Sequence, residues 1–263
     1  MGAAPKEALA RGVKSAQRVL ELLEFFSQWQ KPVTVKEVCT TLGYPQSSTS
    51  MLLRSLCDLG YFDHDPRSGM YVPNIRLALA TAWIEADLFS GAGMLRLMTR
   101  VRDACGHTVM MGKVEGVHVR HMHVLQGTRK DSAVADLGSR RPLFRSAAGR
   151  ILLTTVPEKD IALLLRKANA LESDPQLRVR LTDALAERAK TKRRGFSLSP
   201  GTSMPGIAAL AVLVPVPVGR PAISLSVGGP LKAIQAEQHG LHRILEAELE
   251  PLRAAARPDR TEP

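Results

Sequence analysis

The chain has 263 residues, 44% hydrophobic and 23% charged, with a formal charge of +11 and a pI of about 10.0, an ordinary globular composition for one large or two modest domains. No apolar run reaches the roughly 18–20 residues of a membrane span, the N-terminal MGAAPKEALARGVKSAQ lacks a secretory apolar stretch, and Cys39, Cys57 and Cys105 show no metal-like spacing; a cytoplasmic protein with packed thiols and no membrane partner is expected. The charge permits nucleic acid, but residues 1–80 hold nine Lys/Arg against seven Asp/Glu and residues 81–263 hold 27 against 18, so charge alone nominates no DNA-binding segment.

Ala16, Val19, Leu20, Leu23 and Phe26 recur every three or four residues and predict a first amphipathic helix. Thr34-Val35-Lys36-Glu37 has the form of a capping box, so a short second helix begins there and stops at Gly43. A third helix is predicted over 46–59, with Leu52, Leu56 and Leu59 buried and Gly60 as a left-handed stop. Its opposite face gathers Ser47, Ser50, Met51, Arg54 and Asp58. Four successive hydroxyl residues, Ser47 to Ser50, are odd at the front of a helix, because hydroxyls compete for backbone hydrogen bonds. Residues 61–64 and 70–73 flank the turn formers Asp65-Pro66-Arg67-Ser68-Gly69 and predict a hairpin. Three helices followed by a hairpin make a winged helix-turn-helix.

Leu77, Leu79, Ala80, Trp83, Ile84 and Leu88 predict a linker helix, followed by a hinge-like Ser90-Gly91-Ala92-Gly93. The remainder reads as mixed α/β. Strands are expected at 108–114, 117–125, 207–214 and 222–227, and helices at 146–155, 157–167, 177–193 and 234–252. The expected organisation is a flexible start over 1–12, a winged head over 13–74, a linker over 75–90, a second domain over 91–252 and a tail over 253–263. His121 and His123 share a strand face and His118 takes the other; with no further ligands in view, no metal is assigned. The basic run 190–194 reads as cations at a helix C-terminus, and Trp83 and Phe89 as packing or dimer contacts.

In order and spacing, several segments resemble the IclR family of transcriptional regulators: 13–20 (VKSAQRVL), Leu42-Gly43-Tyr44-Pro45, Leu52-Leu53 through Leu59-Gly60-Tyr61, and the wing 65–71. The likeness continues with Gly138-Ser139-Arg140-Arg141-Pro142-Leu143 running into Ala147-Ala148-Gly149-Arg150, then Arg194-Gly195-Phe196, Pro205-Gly206 and Ser224-Leu225-Ser226-Val227, and so covers about residues 13–250. It implies an α+β chain: an N-terminal winged helix-turn-helix, a linker helix and a C-terminal GAF-like α/β effector-binding domain. It further implies a homodimer or tetramer on double-stranded DNA, with two third helices in the major groove on pseudopalindromic half-sites about 34 Å apart. Gln46, Ser47, Ser48, Ser50 and Arg54 would then contact DNA, with Arg67 at the wing tip. The alternative for the serines is helix capping.

The resemblance also places an effector cavity between loops 143–149 and 200–206, built from Leu143, Arg145, Ser146, Ala147, Ala148, Gly149, Ser203, Met204 and Gly206. Backbone amides at a helix start suit a small organic carboxylate, aromatic or not; the alternative for Ser146 is a cap alone. No cofactor is expected. The chain departs from the family pattern twice. Gln46 and Met51 replace cations that would anchor phosphate, and Pro200-Gly201-Thr202-Ser203-Met204 lacks the usual acidic residue. An enzyme, a hydrolase or transferase, is the rival from another class, but no G-x-S-x-G, P-loop, G-x-G-x-x-G or H-E-x-x-H is present. A third reading is an orphan regulator whose second domain only dimerises. Repressor and activator both fit, with the effector acting on operator affinity through dimer geometry.

Overall fold

Residues 13–89 and 93–256 are described by the computed structural model. The expected flexible start, the hinge residues 90–92, the end of the tail and the side chains of Trp83 and Phe89 lie outside the described residues. The chain divides into two units, Met1–Ile84 and Glu85–Pro263.

The first unit holds α1 (Lys14–Trp29), β1 (Val33–Thr34), α2 (Val35–Leu42), α3 (Gln46–Asp58), β2 (Phe62–Asp65) and β3 (Met70–Pro73), and reaches into α4 (Ile75–Phe89). The capping box forms as expected: the Glu37 amide donates to Thr34 Oγ1 at 3.4 Å, and the Thr34 amide donates to Glu37 Oε2 at 2.7 Å. Gly43 ends α2 in the left-handed conformation. At the end of α3 the Tyr61 and Gly60 amides donate to the Leu56 and Cys57 carbonyls, with Gly60 at φ 77°, so the stop sits where the sequence put it.

Two expectations about the core need correction. In α1 the buried side chains are Leu22, Phe25 and Phe26, while Leu20 is 61% exposed; Phe26 meets Phe62 of the wing edge to face at 5.1 Å. In α3 the buried set is Thr49, Leu53 and Leu56, while Leu52 is half-buried and Leu59, past the helix end, is 60% exposed. The hairpin also gains a strand that the sequence reading missed. β1 pairs antiparallel with β3, Val33 opposite Tyr71, giving the order β1-β3-β2.

The second unit is a six-stranded antiparallel sheet in the order β6-β5-β4-β9-β8-β7. Its strands are β4 (Thr108–Glu115), β5 (His118–Leu125), β6 (Arg140–Pro142), β7 (Ser197–Pro200), β8 (Ile207–Val214) and β9 (Ile223–Pro230). Alternation along β8 sorts the two faces. Leu210, Val212 and Val214 pack with α5 (Met94–Cys105) and α9 (Leu231–Ala256), whereas Ala211 packs with α6 (Ala147–Leu152), α7 (Glu158–Leu171) and α8 (Leu181–Arg194). The sequence reading lacked α5, β6 and β7. It also ran one helix over 146–155 where α6 gives way to a 3-10 turn at Leu153–Thr155, began α8 at 177 where a separate 3-10 turn lies, and counted 253–256 as tail where α9 continues. Among the described residues no helix is long and apolar enough to cross a membrane.

Candidate functional site

In the first unit, α3 begins at Pro45, whose extended backbone provides no side-chain cap. The four hydroxyls divide by direction. Thr49 is buried and donates to the Pro45 carbonyl at 3.0 Å, and Ser48 donates to the same oxygen at 3.0 Å. The hydroxyls of Ser47 and Ser50 have no partner among the described residues. The outward strip is therefore Gln46, Ser47, Ser50, Met51 and Arg54, with Arg54 free of any ion pair among the described residues. A cleft of about 390 Å³ separates this strip from the wing, with Ser50, Arg54 and Asp58 on one bank and His64, Gly69 and Tyr71 on the other. Arg67 stands exposed at the wing tip. Asp65 holds that tip by accepting from the Ser68 hydroxyl at 2.6 Å and from the Arg67 amide at 3.0 Å, and these bonds hold its carboxyl below the usual range.

Two other arginines of this unit are engaged. Arg18 lies over the Tyr44 ring at 5.1 Å, and Arg76 lies over Tyr61 at 4.9 Å while donating to the Leu59 carbonyl. Arg54 and Arg67 are thus available to phosphate, and Lys36 at the start of α2 is exposed without an ion pair as well.

In the second unit, a cavity of about 50 Å³ lies between the sheet and the start of α6. Ser146, Ala147, Ala148, Ser203 and Met204 line it, so the two loops named from the sequence do meet there. Leu143 and Arg145 instead line a separate cavity of about 60 Å³ beside α7. The Arg145 guanidinium is engaged by Glu172 at 2.6 Å, and its carbonyl accepts from Ser199 and Thr202. Gly149 and Gly206 line neither. A Cβ on Gly149 would stand 2.0 Å from the Leu143 carbonyl oxygen, so glycine is required for α6 to lie on that backbone. Gly206 has φ 75°, a left-handed turn residue whose carbonyl accepts from the Leu231 amide. Ser146 uses both sides of its hydroxyl locally, donating to the Pro142 carbonyl at 2.8 Å and accepting from the Gly149 amide at 3.1 Å.

The polar groups of the cavity that the sequence reading missed come from the strands. Arg141 lies opposite Val119 in the β5–β6 pair, which puts its side chain on the α6 face of the sheet, the same face as His121. Its guanidinium donates to the Arg140 carbonyl and forms no ion pair among the described residues; burial lowers its pKa, and the Asp136 carboxylate offsets this in part from a distance. Burial, with Arg141 adding to it, pushes the pKa of His121 down to about 4, so the ring is neutral near pH 7. Ser139 spends its proton on the Asp136 carbonyl at 2.6 Å and so accepts from His121 Nδ1 at 3.1 Å, an assignment that leaves Nε2 as an acceptor. Ser226, donating to the Met110 carbonyl, completes the sheet side. One available signal was the odd-even alternation of β9, which turns Ser224 and Ser226 away from the apolar face of Ile223, Leu225 and Val227.

Burial lowers the His123 pKa as well, but among the described residues no group of three or more His, Cys, Asp or Glu side chains is placed to hold a metal ion. The basic run ends α8, with Lys192, Arg193 and Arg194 in its last turn before a left-handed Gly195. The three cysteines are free, partly buried thiols.

Against known proteins, residues 86–258 match the family model described as bacterial transcriptional regulator IclR C-terminal, and residues 15–66 match the IclR helix-turn-helix domain. The chain is 21% identical over 202 residues to the HTH-type transcriptional regulator XynR of Escherichia coli K12, covering 77% of this chain and 80% of that protein. It is 22% identical over 222 residues to the HTH-type transcriptional repressor AllR of the same strain, covering 84% and 81%. Among solved structures, the IclR of Thermotoga maritima superposes with a TM-score of 0.61 at 18% identity, over 92% of this chain and 98% of that one. A regulator from Alicyclobacillus acidocaldarius gives 0.60 at 21% identity, over 93% and 99%.

Proposed function

Because the chain belongs to the IclR family of bacterial transcriptional regulators, with an N-terminal helix-turn-helix DNA-binding domain and a C-terminal effector domain, we propose that it binds an operator as a cytoplasmic homodimer or tetramer and that a small organic acid in the 50 Å³ cavity sets its operator affinity. As a member of that family it is a regulator and not an enzyme.

The observation that carries the effector reading is Arg141. A half-buried guanidinium that forms no ion pair among the described residues, with the Asp136 carboxylate acting on it only from a distance, leaves donors unused in a space lined by Met110, Met204, alanines, His121 and serines. An anion there would satisfy it through charge-assisted hydrogen bonds. The small side chains of Ala147, Ala148 and Ala209 would leave room for the acid's carbon frame, and a hydroxyl on the acid would find an acceptor at His121 Nε2. On this reading Arg145, which the sequence favoured, is a structural partner of Glu172, and Arg141 holds the charge.

In the head, Gln46, Ser47, Ser50 and Arg54 would face base edges and phosphates, Ser48 would order the helix start, and Arg67 would meet the backbone from the wing. The apolar Ile75 and Leu79 on α4 are exposed, which supports burial of this helix between subunits, and α4 would link effector state to head spacing.

Fluorescence anisotropy tests the first half. Duplex DNA from upstream of the protein's own coding sequence is expected to bind far more tightly than a scrambled duplex at moderate salt; equal, weak binding with one salt slope would overturn it. Thermal shift with a panel of two- to five-carbon acids tests the second. An acid that stabilises the wild type and not Arg141→Gln supports the reading, and stabilisation that survives the substitution overturns it.

A further inference from the structure

Met51 is the large apolar side chain on the outward strip of α3, and it is 66% exposed. A scattered exposed hydrophobic residue is normal on a protein surface. Its position is the distinguishing fact. One helical turn after Ser47, next to Ser50 and one turn before Arg54, it occupies the middle of a strip whose other members carry carboxamide, hydroxyl or guanidinium groups. The inward face of α3 is filled by Thr49, Leu53 and Leu56, and Met51 contributes nothing to that core.

Major-groove base edges present acceptors, donors and one apolar group, the thymine C5-methyl. A thioether donates no hydrogen bond and accepts only weakly, so it cannot read the polar pattern. Its long, unbranched and polarizable chain adapts to an apolar neighbour. Buried against base edges, it gains from contact with a methyl group and loses from covering an unpaired amine or carbonyl.

We propose that Met51 is a specificity residue that selects thymine, through its 5-methyl group, at one position of each half-site. The proposal rests on the operator-binding reading above and adds to it the base that this side chain prefers. It also gives a function to a position where the cationic anchor expected of the family is missing: the chain exchanges a phosphate contact, which carries no sequence information, for one that does.

The test uses the full-length protein. Selection from randomised duplexes yields the preferred half-site, and each thymine in it is then replaced singly by deoxyuridine, which removes the methyl group and leaves the base pair intact. At one thymine per half-site, loss of the methyl is expected to weaken wild-type binding about four-fold, the value of burying one such group. Met51→Leu keeps that discrimination, and Met51→Gln binds the two duplexes equally. Methyl-insensitive binding at every thymine, or discrimination that persists in Met51→Gln, would overturn the assignment while leaving operator recognition intact. If selection returns no preferred sequence, operator recognition itself fails and the assignment falls with it. Because Met51 lies outside the core, circular dichroism of both variants is expected to match wild type.

Discussion

At the scale of single residues, His121 makes the clearest pH prediction. Its folded pKa is about 4, against about 6.5 for a free imidazole, with burial the main cause and Arg141 the second. Because the folded value is depressed, the unfolded chain binds the proton first. The stabilisation is therefore fully present above about pH 6.5 and is lost progressively between there and pH 4, by on the order of 3 kcal/mol at most. Denaturation midpoints across that window are expected to fall for wild type and to flatten for His121→Phe. An unchanged slope in the variant would place the titrating group elsewhere. Gly149 makes a simpler case: Gly149→Ala is expected to cost about 3 kcal/mol in chemical denaturation, because the added methyl meets Leu143 backbone and not a flexible side chain. Sequence marked Gly149 as part of a motif but could not say that it serves packing, since the clash arises only once α6 is laid on residue 143. Arg141 escaped notice for a related reason. Three arginines fall within residues 140–145, and only strand pairing shows which one turns toward the cavity.

At the scale of elements, what was legible was what is local. The capping box of α2 and the glycine stop of α3 each depend on residues within five positions and formed where expected. Thr34→Ala is expected to destabilise the head by about 1 kcal/mol in thermal or chemical unfolding, while Thr34→Ser keeps most of the stability. The Thr34 amide holds the Glu37 carboxyl below its ordinary pKa, so this cap is intact above the usual carboxylate range and weakens as pH falls through it. What was illegible was set by distant partners. The apolar positions of α1 form a band wide enough for several choices of buried face, and contact with Phe62 selects the one through Leu22, Phe25 and Phe26. β1 is two residues long and exists because Tyr71 and Met70 lie alongside it. By contrast, α5 was missed although its signal is local: Met94, Leu97, Met98 and Val101 hold helical spacing.

At the scale of the whole molecule, the charge of +11 is a poor guide to operator affinity, because most of the excess lies beyond residue 80. With Arg54 and Arg67 as phosphate anchors of each head, a dimer would neutralise at least about four phosphates, and the logarithm of specific affinity is expected to fall with the logarithm of salt at a slope of about −4 or steeper. Arg67→Ala should lower that slope by about 2 per dimer and weaken all sequences alike, whereas a change at Met51 alters which sequence is preferred. If a ligand sets operator affinity, it acts on top of this electrostatic term. Linkage then imposes a condition that any such ligand must meet. If the acid lowers operator affinity by some factor, saturating operator must lower the acid's affinity by that same factor, and if it raises one it raises the other. Titration of the acid by calorimetry, with and without a saturating operator duplex, is expected to give the reciprocal ratio. An acid that binds beside Arg141 with the same affinity in both titrations cannot be the regulator's signal, however tightly it binds, because a ligand indifferent to the two states shifts no equilibrium between them.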